Sequence, residues 1–349
     1  MKSNQAISKI AIAVILVVIL LIAGGVGAYY YSTQKSTNSS AYKIVVVDSG
    51  GSTTSWANAV NAGVNQSVTY MEGVTGRTID VTYVYNVADA DAQGVLSSYA
   101  EAGYNLAIEA ENTQDTASYA VCAQFPHFDI FGNSFGGDLA PNMGNWGNDV
   151  WRGYYPAGVI AGLMTKTNKI GFVGAIEYSA SVEALNAFLA GAQLVNPNVT
   201  VSWAWTGDWH DSTKGGSAAA GLIATGCDVI CGQGDGMTDG VVAECAKENA
   251  YSIGYLYDEN SLGPTTCLTS VLWNTTSYFV DGIKAAMSGQ LGYKSYSLPL
   301  YPDDISWLAP FHGLLSANKL AIANDYMTAI YNGTLVEPEN TVLPYGATS

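Results

Sequence analysis

Basic residues are scarce in this chain: 13 Lys and Arg stand against 29 Asp and Glu, a formal net charge of −16. Nucleic-acid binding needs a basic surface to neutralise phosphates, so DNA and RNA are excluded as partners. Three His occur, at His127, His210 and His312, far apart and with no C-x-x-C to help them. No metal site and no cofactor are expected from ligands so dispersed. The sequence also lacks G-x-S-x-G, H-E-x-x-H and Walker A patterns. That removes the common signatures of nucleophile-elbow hydrolases, zinc proteases and P-loop enzymes, and no enzyme is expected. A carboxylate-pair hydrolase needs no local motif, but it needs two carboxylates facing each other across roughly 5–10 Å. Cysteines number five (Cys122, Cys227, Cys231, Cys245, Cys267), so at least one is free or pairs between chains. Cys227 and Cys231 are too far apart along one strand to bridge each other. Either a bridge to Cys245 or Cys267, or a set of buried thiols, fits.

Charge is absent altogether from residues 10–34, and 10–31 is mostly apolar. About 20 apolar residues span a bilayer. Lys2 and Lys9 precede the run, which puts the N-terminus in the cytoplasm and the rest outside. Residues 1–31 are therefore expected to be a membrane anchor or leader, and 32–41 (STQKSTNSSA) a flexible tether. No Cys precedes Cys122, so an N-terminal lipid-modified Cys is not expected. Low charge, 23 Tyr and sequons at Asn38, Asn65, Asn198, Asn274 and Asn332 suit a glycosylated cell-surface protein.

Past the tether, short β-branched stretches alternate with helical ones, the pattern of parallel βαβ units. Strands are expected at 41–47, 79–85, 106–109 and 128–131, with helices at 55–71, 88–102 and 113–123 between them. A Gly/Asn-rich stretch, 132–149, is long for a connection inside one lobe and reads as a crossover or part of a cleft. A second series follows: strands at 169–174, 199–205, 227–231 and 252–257, and helices at 155–165, 180–195, 211–225 and 238–249. A strand at 268–272 and helices at 276–288 and 318–331 complete the chain. The expected fold is α/β, two Rossmann-like lobes: lobe I from 42–148 and 268–292, lobe II from 149–267 and 293–345. Ligands of open parallel sheets bind beyond the carboxyl ends of the strands. Those ends carry Asp48, Trp209, Asp211, Gly234, Asp235 and Asp258, a set suited to a flat small molecule with polar edges.

The segments AGLMTKTNKIGFVGA, FLAGAQLVNP, TGDWHDSTKG, GCDVI, IGYLYDE, LTSVL and WLAPFH occur in this order. In them the chain resembles the basic membrane protein family, nucleoside-binding substrate-binding proteins of ABC importers, in an archaeal surface-anchored form. The resemblance implies a type I periplasmic-binding-protein fold with three crossovers, a nucleoside held between lobes that close on a hinge, and docking on an ABC permease. Carried residue by residue, it places a first aromatic stacker at Trp56, after the loop that begins at Asp48. The second stacker falls on Trp209, with Asp211 and Lys214 in register. Gly234 matches the glycine after the D-V-I strand. Asp258 matches one acidic position of the pocket, but Leu256 replaces the other and Trp273 stands where the family has Lys. That makes one side of the pocket more apolar and leaves a modified nucleoside, a free base or a sugar-like ligand open.

Local readings compete at several of these residues. Asp211 precedes a helical run and suits an N-cap as well as a ligand contact. His210 reads as a solvated loop residue, and Trp203 and Trp205 as packing on one strand face. The sequence as a whole points to an extracellular solute-binding protein of an importer. A surface sensor or sugar binder of the same fold and a structural surface glycoprotein are its rivals.

Overall fold

The computed structural model describes residues 41–133, 139–147, 150–296, 308–336 and 342–344. The apolar run at 10–31 and Trp307 lie outside them. Among the described residues, no helix is long and apolar enough to cross a membrane.

Two sheets organise the chain. The first half supplies β1 (Tyr42–Val47), β2 (Ile79–Val84), β3 (Leu106–Glu109), β4 (Asp129–Asn133) and β5 (Met143–Trp146). Helices α1 (Ser55–Thr75), α2 (Asp89–Glu101) and α3 (Asp115–Gln124) connect the first four. Helix α1 shows why these segments fold as they do. Thr54 caps it by accepting from Ala57 N–H, Val60, Val64, Ser67 and Met71 recur at helical spacing on its buried side, and Gly76 ends it at φ 64°. The second series supplies α4 (Tyr154–Met164), β6 (Lys169–Gly174), α5 (Ser179–Val195), β7 (Thr200–Trp205), α6 (Ser212–Ala224), β8 (Val229–Gln233), α7 (Met237–Glu248), β9 (Tyr251–Leu256) and β10 (Cys267–Leu272). Then come α8 (Thr276–Met287), β11 (Lys294–Tyr296) and α9 (Ala317–Tyr331).

The first sheet runs β11-β5-β4-β3-β1-β2 and the second β10-β9-β8-β6-β7. Read from the other edge, both begin with the second strand, then the first, third, fourth and fifth of their series. This is one doubly wound order used twice, and each sheet has a switch point, β1/β3 in one and β6/β8 in the other. The pairs at those points are parallel, with Val47 beside Glu109 and Gly174 beside Gln233. The loops that leave them therefore emerge side by side at the carboxyl edges.

Among the described residues, the chain leaves the first sheet for the second after β5 and returns after β10; Tyr296 belongs to the first sheet, and Leu308 bridges Val271 of β10 in the second. Two assignments change. Strand Cys267–Leu272 pairs with β9 in the second sheet, so the passage falls after Leu272 rather than at 267/268. Lys294–Tyr296 pairs with β5 in the first sheet, so the return falls later than 293. The stretch 132–149 is not only a connection, because Met143–Trp146 is a buried strand of the first sheet. All five cysteines are buried free thiols, so the bridge to Cys245 or Cys267 is not formed. Trp203 is core, and Trp205 packs edge-on to Phe172.

Candidate functional site

A cleft of about 650 Å³, mouth included, opens where the carboxyl edges of the two sheets face each other. The first sheet contributes Asp48, Ser49 and Gly50 after β1, Thr54 and Trp56 at the start of α1, Ala110, Glu111 and Asn112 after β3, and Asn133 of β4. From the second come Tyr178, Trp209, His210, Asp235, Tyr255 and Trp273. Four lining residues follow the strands of the two switch points: Asp48 and Glu111 on one side, Tyr178 and Asp235 on the other.

The aromatic rings meet at steep angles. Trp273 stands edge-on to Trp56 (5.1 Å, 85°) and to Tyr255 (5.8 Å, 80°), and Tyr178 stands edge-on to Trp209 (6.1 Å, 69°). Trp56 is fixed from behind, its Nε1 donating to the Ala110 carbonyl at 3.2 Å and its ring parallel to buried Trp146. Tyr255 is aimed by an unusual turn. Leu256 has φ 68°, and Tyr257 N–H donates to the Tyr255 carbonyl, a left-handed three-residue turn that costs a β-carbon-bearing residue strain.

Acidic groups fill the polar part. Asp48 is 1% exposed and its Oδ1 accepts from Gly50 N–H at 2.7 Å. Burial, with the neighbouring Asp48 charge, pushes the Glu111 carboxyl up, and the two carboxyls are hydrogen-bonded to each other. Burial also raises Asp235, against the lowering effect of the Trp56 N–H, His210 and the Thr54 hydroxyl. The Asp235 carboxylate thus reaches the N-terminus of α1 from the opposite lobe. Asn112 and the Tyr178 hydroxyl form a second hydrogen bond across the cleft, and burial raises that phenol to about 12.

Of the residues singled out in the sequence, Asp48, Trp56, Trp209, Asp235 and Trp273 come together here. Three do not line the cleft. Asp211 caps α6, accepting from Lys214 N–H at 3.0 Å, with the Lys214 ammonium 3.9 Å from its other oxygen. Asp258 caps the short helix Glu259–Leu262 and pairs with His312 at 2.8 Å. Gly234 is packed beneath the loop, where a β-carbon would lie 2.6 Å from the Met237 methyl. The capping reading of Asp211 gives a direct expectation. Asp211→Ala lowers stability by about 1 kcal/mol in a thermal melt and leaves ligand affinity unchanged. His210 lines the cleft while remaining a solvated loop residue, its side chain 55% exposed and its Nδ1 3.5 Å from Asp235 Oδ2. Glu111, Asn112, Tyr178 and Tyr255 were missed by sequence reasoning. The strand-end rule that found Asp48 applies equally to Glu111, which follows β3. Among the described residues, no group of three His, Cys, Asp or Glu is placed to hold a metal ion.

The family model for the ABC transporter substrate-binding protein PnrA-like group, Bmp, matches residues 60–297. The chain belongs to this family. It is 31% identical over 215 residues to a purine-binding protein of Brucella abortus (strain 2308), a match covering 61% of each protein. A CD4+ T-cell-stimulating antigen of Listeria monocytogenes is 29% identical, with 74% of this chain and 76% of the antigen covered. Among solved structures, a solute-binding protein of an ABC transporter system from Aeropyrum pernix K1 superposes with a TM-score of 0.67 at 18% identity. That alignment covers 85% of this chain and 94% of the other and bears on the fold. The two-lobed α/β architecture with parallel sheets is thus that of solute-binding proteins.

Proposed function

We infer that this chain is the solute-binding component of an ABC importer and captures a purine-like nucleoside, or a similar flat small molecule, between its lobes. The observation that carries this reading is the placing of Trp56 and Trp209 on opposite lobes, each at the carboxyl edge of its sheet and each lining one cleft. Two such indoles suit the faces of a planar ring, and buried carboxylates beside them suit its N–H or hydroxyl donors. The ligand selects the closed arrangement through contacts made to both lobes at once. The closed form then docks on a permease. The protein works outside the cell, held at the membrane by its N-terminal segment, and carries no catalytic step. The Asp48–Glu111 pair supports that last point, because the two carboxyls are hydrogen-bonded to each other rather than set apart around a substrate bond.

Calorimetry of the full chain against nucleosides, free bases and monosaccharides tests the reading. A nucleoside or base binds saturably, and Trp56→Ala and Trp209→Ala each weaken it about tenfold or more, as the loss of one stacking face requires. Binding of sugars alone would keep capture and change the ligand class. Binding of nothing would turn the reading towards a structural surface protein.

A further inference from the structure

The walls and the charge of the cleft are matched in a way that a neutral ring does not use. Its lining residues include three carboxyl side chains, Asp48, Glu111 and Asp235, and no Lys or Arg. The group able to offset them is His210, whose side chain is 55% exposed and therefore well hydrated. Asp235 is 5% exposed; its carboxylate takes the Trp56 backbone N–H and the Thr54 hydroxyl, while its Oδ2 makes no hydrogen bond and faces His210 Nδ1 at 3.5 Å. A buried carboxylate oxygen in that position carries a desolvation cost that a ligand group must offset. The hydrophobic half of the same cleft is built from Trp56, Trp209, Trp273 and two tyrosines, in edge-to-face pairs that turn ring faces in more than one direction. Indole faces attract cations, and more strongly when water is excluded.

We propose that the cleft selects a flat heteroaromatic cation, such as an N-alkylated purine or pyridinium ring, over the neutral ring of the same shape. The cation stacks between the indoles while its charge lies against Asp48 and Asp235. Burial holds Asp48, Glu111 and Asp235 all above their ordinary values, and the Asp48–Glu111 hydrogen bond leaves that pair with one shared negative charge to set against a cation. This proposal names the ligand class of the capture site and rests on the solute-binding reading.

Matched pairs separate charge from shape. N1-methyladenosine carries a ring charge near neutral pH and its isomer N6-methyladenosine does not; 1-methylnicotinamide, methylated on the ring nitrogen, and nicotinamide differ in the same sense. Titration of the full chain with both pairs, and with adenosine and guanosine, is expected to show at least one cation binding about tenfold or more tighter than its neutral partner. Asp235→Asn, which keeps the shape and removes the charge, is expected to bring that ratio below about threefold. The wild-type ratio decides the matter even where the variant folds poorly. Equal affinities, or preference for the neutral member, overturn the proposal. Binding of adenosine or guanosine without either cation overturns it and leaves solute capture standing. Binding of none of the six compounds overturns the proposal and counts against the capture reading with it.

Discussion

Gly191→Ala is expected to destabilise the protein by more than about 3 kcal/mol, or to prevent folding, whereas the same exchange at Gly73 is expected to stabilise it slightly. Helices α4 and α5 touch backbone to backbone. A β-carbon on Gly191 would lie 2.0 Å from the Tyr155 carbonyl oxygen, and one on Gly158 would lie 2.0 Å from that of Phe188. These obstacles are main chain, so no rotamer change relieves them and the helices must move apart. Moving them disturbs the core that both share with β6, around Phe172 and Phe188. Gly73 lies on the exposed side of α1 with nothing within 4 Å of a β-carbon. Alanine there only narrows the unfolded ensemble, worth roughly 0.5–1 kcal/mol. Chemical denaturation of the two variants checks the sign at each site. A stable Gly191→Ala protein with an unchanged midpoint would refute the backbone contact.

The second large effect depends on pH. Glu109 ends β3 with 0% exposure, and burial raises its carboxyl to about 8 despite a hydrogen bond from the Ser118 hydroxyl. Its Oε1 has no hydrogen-bond partner. The unfolded chain releases this proton near 4.5 and the folded chain near 8. Between those values the native state binds more protons, so stability falls as pH rises, at about 1.4 kcal/mol per unit, and levels off above the folded value. Glu109→Gln removes that slope. The variant and the parent are expected to have similar stability near pH 5, with the variant ahead by several kcal/mol above pH 8. Unfolding curves across this range test it, because titrating groups distant from Glu109 contribute equally to both proteins. Parallel curves would show that Glu109 ionises freely.

Much of the fold was legible because its signals are local. Strand and helix positions follow from β-branched runs, caps and stops such as Thr54, Gly76 and Asp211. Strand β5 escaped notice, and β11 was legible only as one of the short strands of the tail 293–349; MGNW and KSY carry little strand signal of their own. Their existence depends on neighbours distant in sequence. The site was half legible for a related reason. Being at a strand end is readable, but facing the cleft is not. Asp211 and Asp258 follow strands in the chain as the cleft residues do, yet their carboxylates serve local caps. Tyr178 and Tyr255 stood in sequences with no polar pattern, and only the meeting of two lobes makes them walls of one space.

The late arrival of β11 has a consequence for how this chain comes to exist. The first sheet collects five strands from the first 146 residues, then waits for its sixth at 294–296. Until then β5 is its border, with unpaired amide and carbonyl groups along Met143–Trp146. Open borders of this kind recruit other chains. Pairings so distant in sequence also close slowly. A nascent or truncated chain that stops short of Lys294 is therefore the form most prone to join edge to edge with its own kind, and three residues near the far end of the sequence act as the guard against it.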